Sequence, residues 1–485
     1  MIEAPTPELV VAEPKQHQHS MSERFLRQIW LHKEFDETKL LTLGNQRVTL
    51  LDVGEPNLDG GPDFRNARIR IGAMLFTGDI ELHQFADDWT KHNHQTDPRF
   101  NSVILHVALW GGEGAAALQT EAGRSLQTVL LHKVLTATIP EALSRAVKYD
   151  EMWRAGPLPC ASVNTTIDVS IKQNFLKDLS DTRLHRKERV FIERAAAQAR
   201  LEGSTVTDAS TWEQVLYEGV LDALGFSKNR APFKALAVGM PLSFLRTLPA
   251  GIEHVEAALF GGSGLLANAN YTDAETGAFV TELNALWNAA QVSFKGPRLV
   301  RADWQWLRLR PQNFPPVRIA GAARFVNAII NDNLFTRVVE LFSATIAPED
   351  ARTGLQAMFD APADGYWKTH YDFGAAWSTP IMSLVGPGRV DDIIVNIVIP
   401  MMRAYAAATS NETVKLNADA LYGSFRSLGQ NDMTERVERW LMAGKKLGGA
   451  RAQQGAIELF THFCRVDKCL DCTIGKAIAD GFSKK

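Results

Sequence analysis

Cysteine is scarce in this chain, four residues among 485, and a net charge of -3 leaves acid and base almost balanced. Four thiols are too few for the dense disulfide framework of small secreted domains. The near-zero charge excludes a global attraction to nucleic acid or to an anionic membrane, so any polyanion-binding surface has to be local. Long apolar runs are also missing. The longest, Ile393 to Met402, contains Asn396 and Pro400 and falls short of the roughly 18 residues that cross a bilayer. The N-terminus has no basic stretch followed by an apolar one, so no secretory leader is expected. These absences lead to the expectation of a cytoplasmic protein with no membrane partner. What the chain does hold is 45% hydrophobic and 22% charged residues, a globular composition. Its length demands two or three cores.

Residues 1–20 carry three prolines and the mixture Gln16-His17-Gln18-His19, which predicts a disordered lead. Ser22 is placed to cap a helix whose apolar positions Phe25, Leu26, Ile29 and Trp30 follow the helical period. Strands are predicted at 48–53, 64–71, 74–83 and 103–109, with another at 129–134 and a short helix over 85–92. Proline and glycine cluster at 154–160, so 151–165 reads as a boundary between a 21–150 core and a helical domain over 166–485. Within the latter, 169–201, 211–224 and 274–290 read as helices. The fold class is therefore α+β: an α-β-β-β-α-β core followed by a mainly α-helical domain.

Pro62-Asp63 opens the second strand and Glu81-Leu82-His83 closes the third. If the two strands form a hairpin about Gly72, both carboxylates lie at the same end, and Glu81 and His83, two apart, share a strand face. Two carboxylates and an imidazole around one point suit phosphodiester hydrolysis, in which Mg²⁺ or Mn²⁺ neutralises developing charge and lowers the pKa of a bound water. The structural alternative is an Asp63 turn cap and a solvated Glu81. A second cluster follows: Asp88, Trp89, His92, His94 and Asp97. His94 is read as assisting the site, and His92 as a polar helix terminus.

Pro-Asp followed by Glu-x-His in this strand order resembles the PD-(D/E)xK nuclease superfamily. The resemblance implies a restriction-endonuclease-like core, metal binding by Asp63 and Glu81, and a catalytic role for His83 where the pattern has lysine. It makes nucleic acid the expected partner. A neutral imidazole supplies no fixed positive charge, which leaves open an inactive, binding-only nuclease fold and a different metal-dependent hydrolase.

Cys464, Cys469 and Cys472 form C-x4-C-x2-C, the three-cysteine part of a plant-type iron–sulfur spacing. The remaining cysteine, Cys160, lies on the predicted boundary. Two sets of ligands are open: an iron–sulfur cluster that uses Cys160, or a zinc site that uses His462 instead. Either is expected to clamp the helical domain onto the core. The Cys160 arrangement is similar to bacterial recombination and CRISPR-adaptation nucleases that pair one remote cysteine with three clustered ones.

Trp304 to Arg318 interleaves aromatics with Arg308, Arg310 and Arg318, candidates for phosphate contacts and base stacking. The alternative is an aromatic interdomain joint whose arginines pair with carboxylates. Together with Asn57 to Ala67, Gly78 to His83, Asp88-Trp89, His92 to Asp97, Val103 to Val107, Tyr366 to Gly374 and the terminal cysteines, Arg308 to Arg318 resembles an uncharacterised bacterial family, domain of unknown function number 2851. That resemblance implies no established activity.

Overall fold

A computed structural model describes residues 23–57, 61–112, 118–154, 158–226, 228–266, 271, 273–306, 309–465 and 468–483. The expected lead at 1–20 and Arg308 lie outside the described residues. The chain divides into two compact units, 1–156 and 157–485, with the division inside the expected boundary segment.

The first unit begins with helix α1, Glu23–Leu31, which buries Leu26, Ile29 and Trp30. Strands β1 (Val48–Asp52), β2 (Glu55–Pro56), β3 (Phe64–Ile71), β4 (Met74–Phe85), β5 (Val103–Trp110) and β6 (Thr128–Leu130) form one mixed sheet ordered β1-β3-β4-β5-β6, with β2 on β3. The pairings β1–β3 and β3–β4 are antiparallel, whereas β4–β5 and β5–β6 are parallel. All eight residues of β5 are buried, as a strand covered on both faces requires. A two-residue turn at Gly72-Ala73 joins β3 to β4, and Gly72 takes a positive φ of 56° there. The β3–β4 register slips between Phe64 and Ala67, where Asn66 adopts a left-handed φ of 57°. This one-residue bulge brings Phe64 opposite Ile80.

Three local expectations are corrected. The predicted 85–92 helix is a single turn, α2 (Asp88–Lys91), because β4 runs on to Phe85, which pairs with Trp110. The predicted 129–134 strand ends at Leu130 and turns into a 3-10 helix, Leu131–Lys133. Helix α3, Ile139–Arg154, extends into the segment expected to be boundary.

Among the described residues, the strands of the second unit are the short pair His370–Asp372 and Ala375–Ala376, and its other regular elements are helical. Its longest helix, α4, spans Val169–Glu202, and Asp168 caps it by accepting from the Ser170 amide. The apolar run expected to be too short for a membrane lies in a longer continuous helix, Pro387–Thr409, with a π-turn at Ile394–Val398 just before Pro400. By length and composition that helix is sufficient to span a bilayer, but 67% of its most apolar window is buried inside the protein. Cys160 belongs to this second unit, with Leu158 in the same apolar cluster as Leu176, Leu441 and Cys472. The expectation that the cysteine site clamps one domain onto the other is therefore corrected: all four cysteines lie in the helical unit.

Candidate metal centre

Phe64 pairs with Ile80, and Asp63 and Glu81 are the next residues along the two strands. Backbone and carboxylate interlock there. The Asp63 amide donates to Glu81 Oε2 at 2.9 Å, and the Leu82 amide donates to Asp63 Oδ2 at 3.0 Å. Both side chains are buried. Burial pushes Asp63 up to about 6 although Arg27, in an ion pair with it, pulls the other way. Burial, and then the charge of Asp63, push Glu81 well above the ordinary carboxylate range.

Glu81 Oε1 faces imidazoles: His94 Nε2 is 3.4 Å away and His83 Nε2 is 3.7 Å away. His92 Nδ1 lies 3.2 Å from His83 Nε2. The donor atoms of His83, His92 and His94 all fall within 4.8 Å of one another. Two local features deliver His92 and His94. Asp88 Oδ2 accepts from the Phe85 amide and ties the one-turn helix to the strand end, and Asn93 at φ 60° reverses the chain between the two histidines. His94 stacks on Phe100 with centroids 3.8 Å apart, and the fully buried Trp89 abuts His94 and His106.

Behind His83 stands His106. It pairs in register with Glu81 across β4–β5 and with Thr128 across β5–β6. Its Nε2 is 2.9 Å from His83 Nδ1, and its Nδ1 is 3.2 Å from Thr128 Oγ1. A buried imidazole needs such partners, and this relay leaves His83 Nε2 directed at the cluster. Burial is the main cause that lowers His83 to about 2, His94 to about 4 and His106 to about 3. At neutral pH all three are neutral, the form that ligates metals.

Of the residues singled out in the sequence, Asp63, Glu81, His83 and His94 are brought together. The expectation for His92 is corrected: it ends α2 as foreseen, yet its ring joins the cluster. Asp97 does not join, because Arg99 takes both its carboxylate oxygens and it caps a 3-10 turn. Sequence reasoning missed Arg27, His106 and Glu23, whose Oε1 is 3.9 Å from His92 Nδ1. In the second unit Arg318 is only 5% exposed, with its guanidinium bonded to the Leu384 carbonyl and to Asn313 Oδ1. It lines a cavity of about 420 Å³ with Arg310, Arg389, Phe226 and Trp377. Trp304 is buried and donates to the Ser263 carbonyl. Trp304 and Arg318 are thus buried within the helical unit, and Arg318 bonds a carbonyl and an amide oxygen and not a carboxylate, whereas Arg310 is exposed.

The first unit is thereby an α+β protein with a candidate metal centre of three imidazoles and a carboxylate. By sequence, the chain belongs to the family described as "Protein of unknown function (DUF2851)", whose model matches residues 23–427. The match takes in the whole cluster and stops short of the terminal cysteines, which the resemblance was expected to include. No curated protein and no solved structure matches the chain.

Proposed function

We propose that the first unit is a metal-dependent phosphodiesterase on a restriction-endonuclease-like core, with nucleic acid as its substrate. The observation that supports this most is the convergence of His83, His92 and His94 on Glu81 at the ends of paired strands. Three imidazoles favour a transition ion over Mg²⁺, which prefers an all-oxygen octahedron. Mn²⁺ is the choice that also serves phosphoryl chemistry. A metal bound there supplies charge neutralisation and a water of lowered pKa.

The chain's own groups then do the rest. Water adds to phosphorus and the phosphorus–oxygen bond to the leaving strand breaks. The proton lost by that water passes to Asp63, which burial pushes up to about 6, and from there to the oxygen of the leaving strand. His106 holds His83 in the tautomer that presents Nε2. Arg27 beside Asp63 provides the fixed positive charge that His83 lacks in the lysine position. On β3, exposed Arg65, Arg68 and Arg70 add local positive charge to the strand that carries Asp63.

The test is cleavage of single- and double-stranded DNA and RNA by the full chain with Mn²⁺, Mg²⁺ or EDTA. The expected result is cleavage that needs Mn²⁺ and falls at least about 100-fold in Glu81→Gln and in His94→Ala. Cleavage that survives both substitutions, or no cleavage of any nucleic acid, overturns the reading.

A further inference from the structure

Cys160, Cys464, Cys469 and Cys472 are separated by up to 312 residues, 472 minus 160, yet the fold gathers them at one point of the helical unit. Cys160 opens a tight turn in which the amides of Val163 and Asn164 donate to its carbonyl at 3.1 and 2.9 Å. The Asn164 side chain locks this turn in place by donating to the carbonyls of Cys160 and Trp440, each at 2.9 Å. The buried Lys172 adds bonds to Asn164 Oδ1 and the Leu441 carbonyl. Cys464 ends the π-turn Phe460–Cys464. Cys472 closes a turn by donating its amide to the Lys468 and Cys469 carbonyls, each at 3.2 Å, and the helix Thr473–Ser483 starts immediately after it. Gly475 of that helix lies against Cys469 so closely that a Cβ there would stand 1.9 Å from the Cys469 carbonyl oxygen. The cysteine loop is thus fitted to the helix that follows it.

All four thiols are free of disulfides. Cys160, Cys464 and Cys472 pack into one apolar cluster with Leu158, Leu441 and Phe460. Each thiol is an electrostatic neighbour of the others: Cys160 feels Cys472 and Cys469, and Cys464 feels Cys160, Cys472 and Cys469. Four thiols gathered from distant parts of the chain into one cluster, with no disulfide among them, form a ready ligand set for a metal. Two cations already flank them, Arg436 near Cys464 and Lys172 near Cys160.

We propose that Cys160, Cys464, Cys469 and Cys472 together ligate an iron–sulfur cluster in the helical unit. His462 is not part of this set, because its Nε2 is engaged by Arg186 and lies 3.6 Å from Glu458 Oε1. The C-x4-C-x2-C spacing of Cys464, Cys469 and Cys472 is the plant-type iron–sulfur spacing, and Cys160 supplies the fourth thiolate. Ligation releases the four thiol protons and leaves no open position. The cluster therefore acts as a staple that ties the segment before α4 to the last helix.

The test is metal and acid-labile sulfide analysis of the full chain purified without oxygen, together with its visible spectrum. The expected result is iron and sulfide in equal amounts, about one cluster per chain, and a brown colour that air bleaches. Cys160→Ser alone should remove most of the iron, while His462→Ala should keep it. Stoichiometric zinc without sulfide overturns the proposal. So does a metal-free wild-type chain, or full iron in Cys160→Ser. The wild-type measurement is independent of whether any variant folds, and none of these outcomes bears on the phosphodiesterase reading.

Discussion

His106 is an imidazole in the middle of an eight-residue buried strand, where a polar ring is tolerated only if both nitrogens find partners. Its role as an orienting group makes a sharp prediction. His106→Ala should weaken Mn²⁺ binding about 10- to 100-fold while the protein still folds, as read by metal titration followed by electron paramagnetic resonance. An affinity equal to wild type would show that His83 needs no support. The same logic of buried charge applies to Glu256 in the helical unit, which is fully buried and accepts from Trp367 Nε1. Burial raises it from 4.5 to about 7, so the folded state holds its proton more tightly than the unfolded state. The stability this provides is complete below about pH 4.5 and is lost as pH rises through about 7. Relative to Glu256→Gln, the wild type should lose on the order of 3 kcal/mol between pH 4.5 and 8, measured by urea denaturation. A pH-independent difference would contradict the assignment. His106 and Arg27 were not legible in the sequence: the first reads as one polar letter in an apolar strand, the second as the solvated side of an amphipathic helix.

At the scale of elements, the sheet was legible and its offsets were not. Asp63 and Glu81 are each nine residues from Gly72, so a symmetric hairpin pairs them. The actual turn is Gly72-Ala73, which would pair Asp63 with Leu82, and the Asn66 bulge restores the Glu81 pairing. Two errors of one residue cancel, because neither turn type nor bulge leaves a periodic trace in hydrophobicity. The extension of β4 to Phe85 was missed for a related reason: its pairing with Trp110 is a tertiary contact. Where β5 joins β4, Gly78 is the tight point, since a Cβ there would stand 2.5 Å from both the Ser102 carbonyl oxygen and Ile104 Cγ2. Gly78→Ala should therefore destabilise the first unit by about 1–3 kcal/mol, seen as a lower urea midpoint. A neutral effect would mean that β5 shifts freely, and the His106–His83 contact with it.

For the whole molecule, the division into an α+β unit and a helical unit was legible because the texture changes from alternating to helical periodicity near the proline and glycine cluster. The placement of Cys160 was not, since a boundary residue belongs to whichever core buries its neighbours. Each unit has its own apolar core, and each proposed ligand belongs to one unit. Calorimetry should therefore show Mn²⁺ raising one transition, and removal of iron lowering another. A single transition that responds equally to both would contradict that separation. The central claim is that His83, His92, His94 and Glu81 form one metal centre, and the most direct measurement is anomalous scattering from crystals grown with Mn²⁺. The account predicts a peak about 2.0–2.3 Å from donor atoms of His83, His92, His94 and Glu81, absent in Glu81→Gln. A map with no peak among these four side chains, from crystals of protein that still cleaves nucleic acid with Mn²⁺, would contradict it.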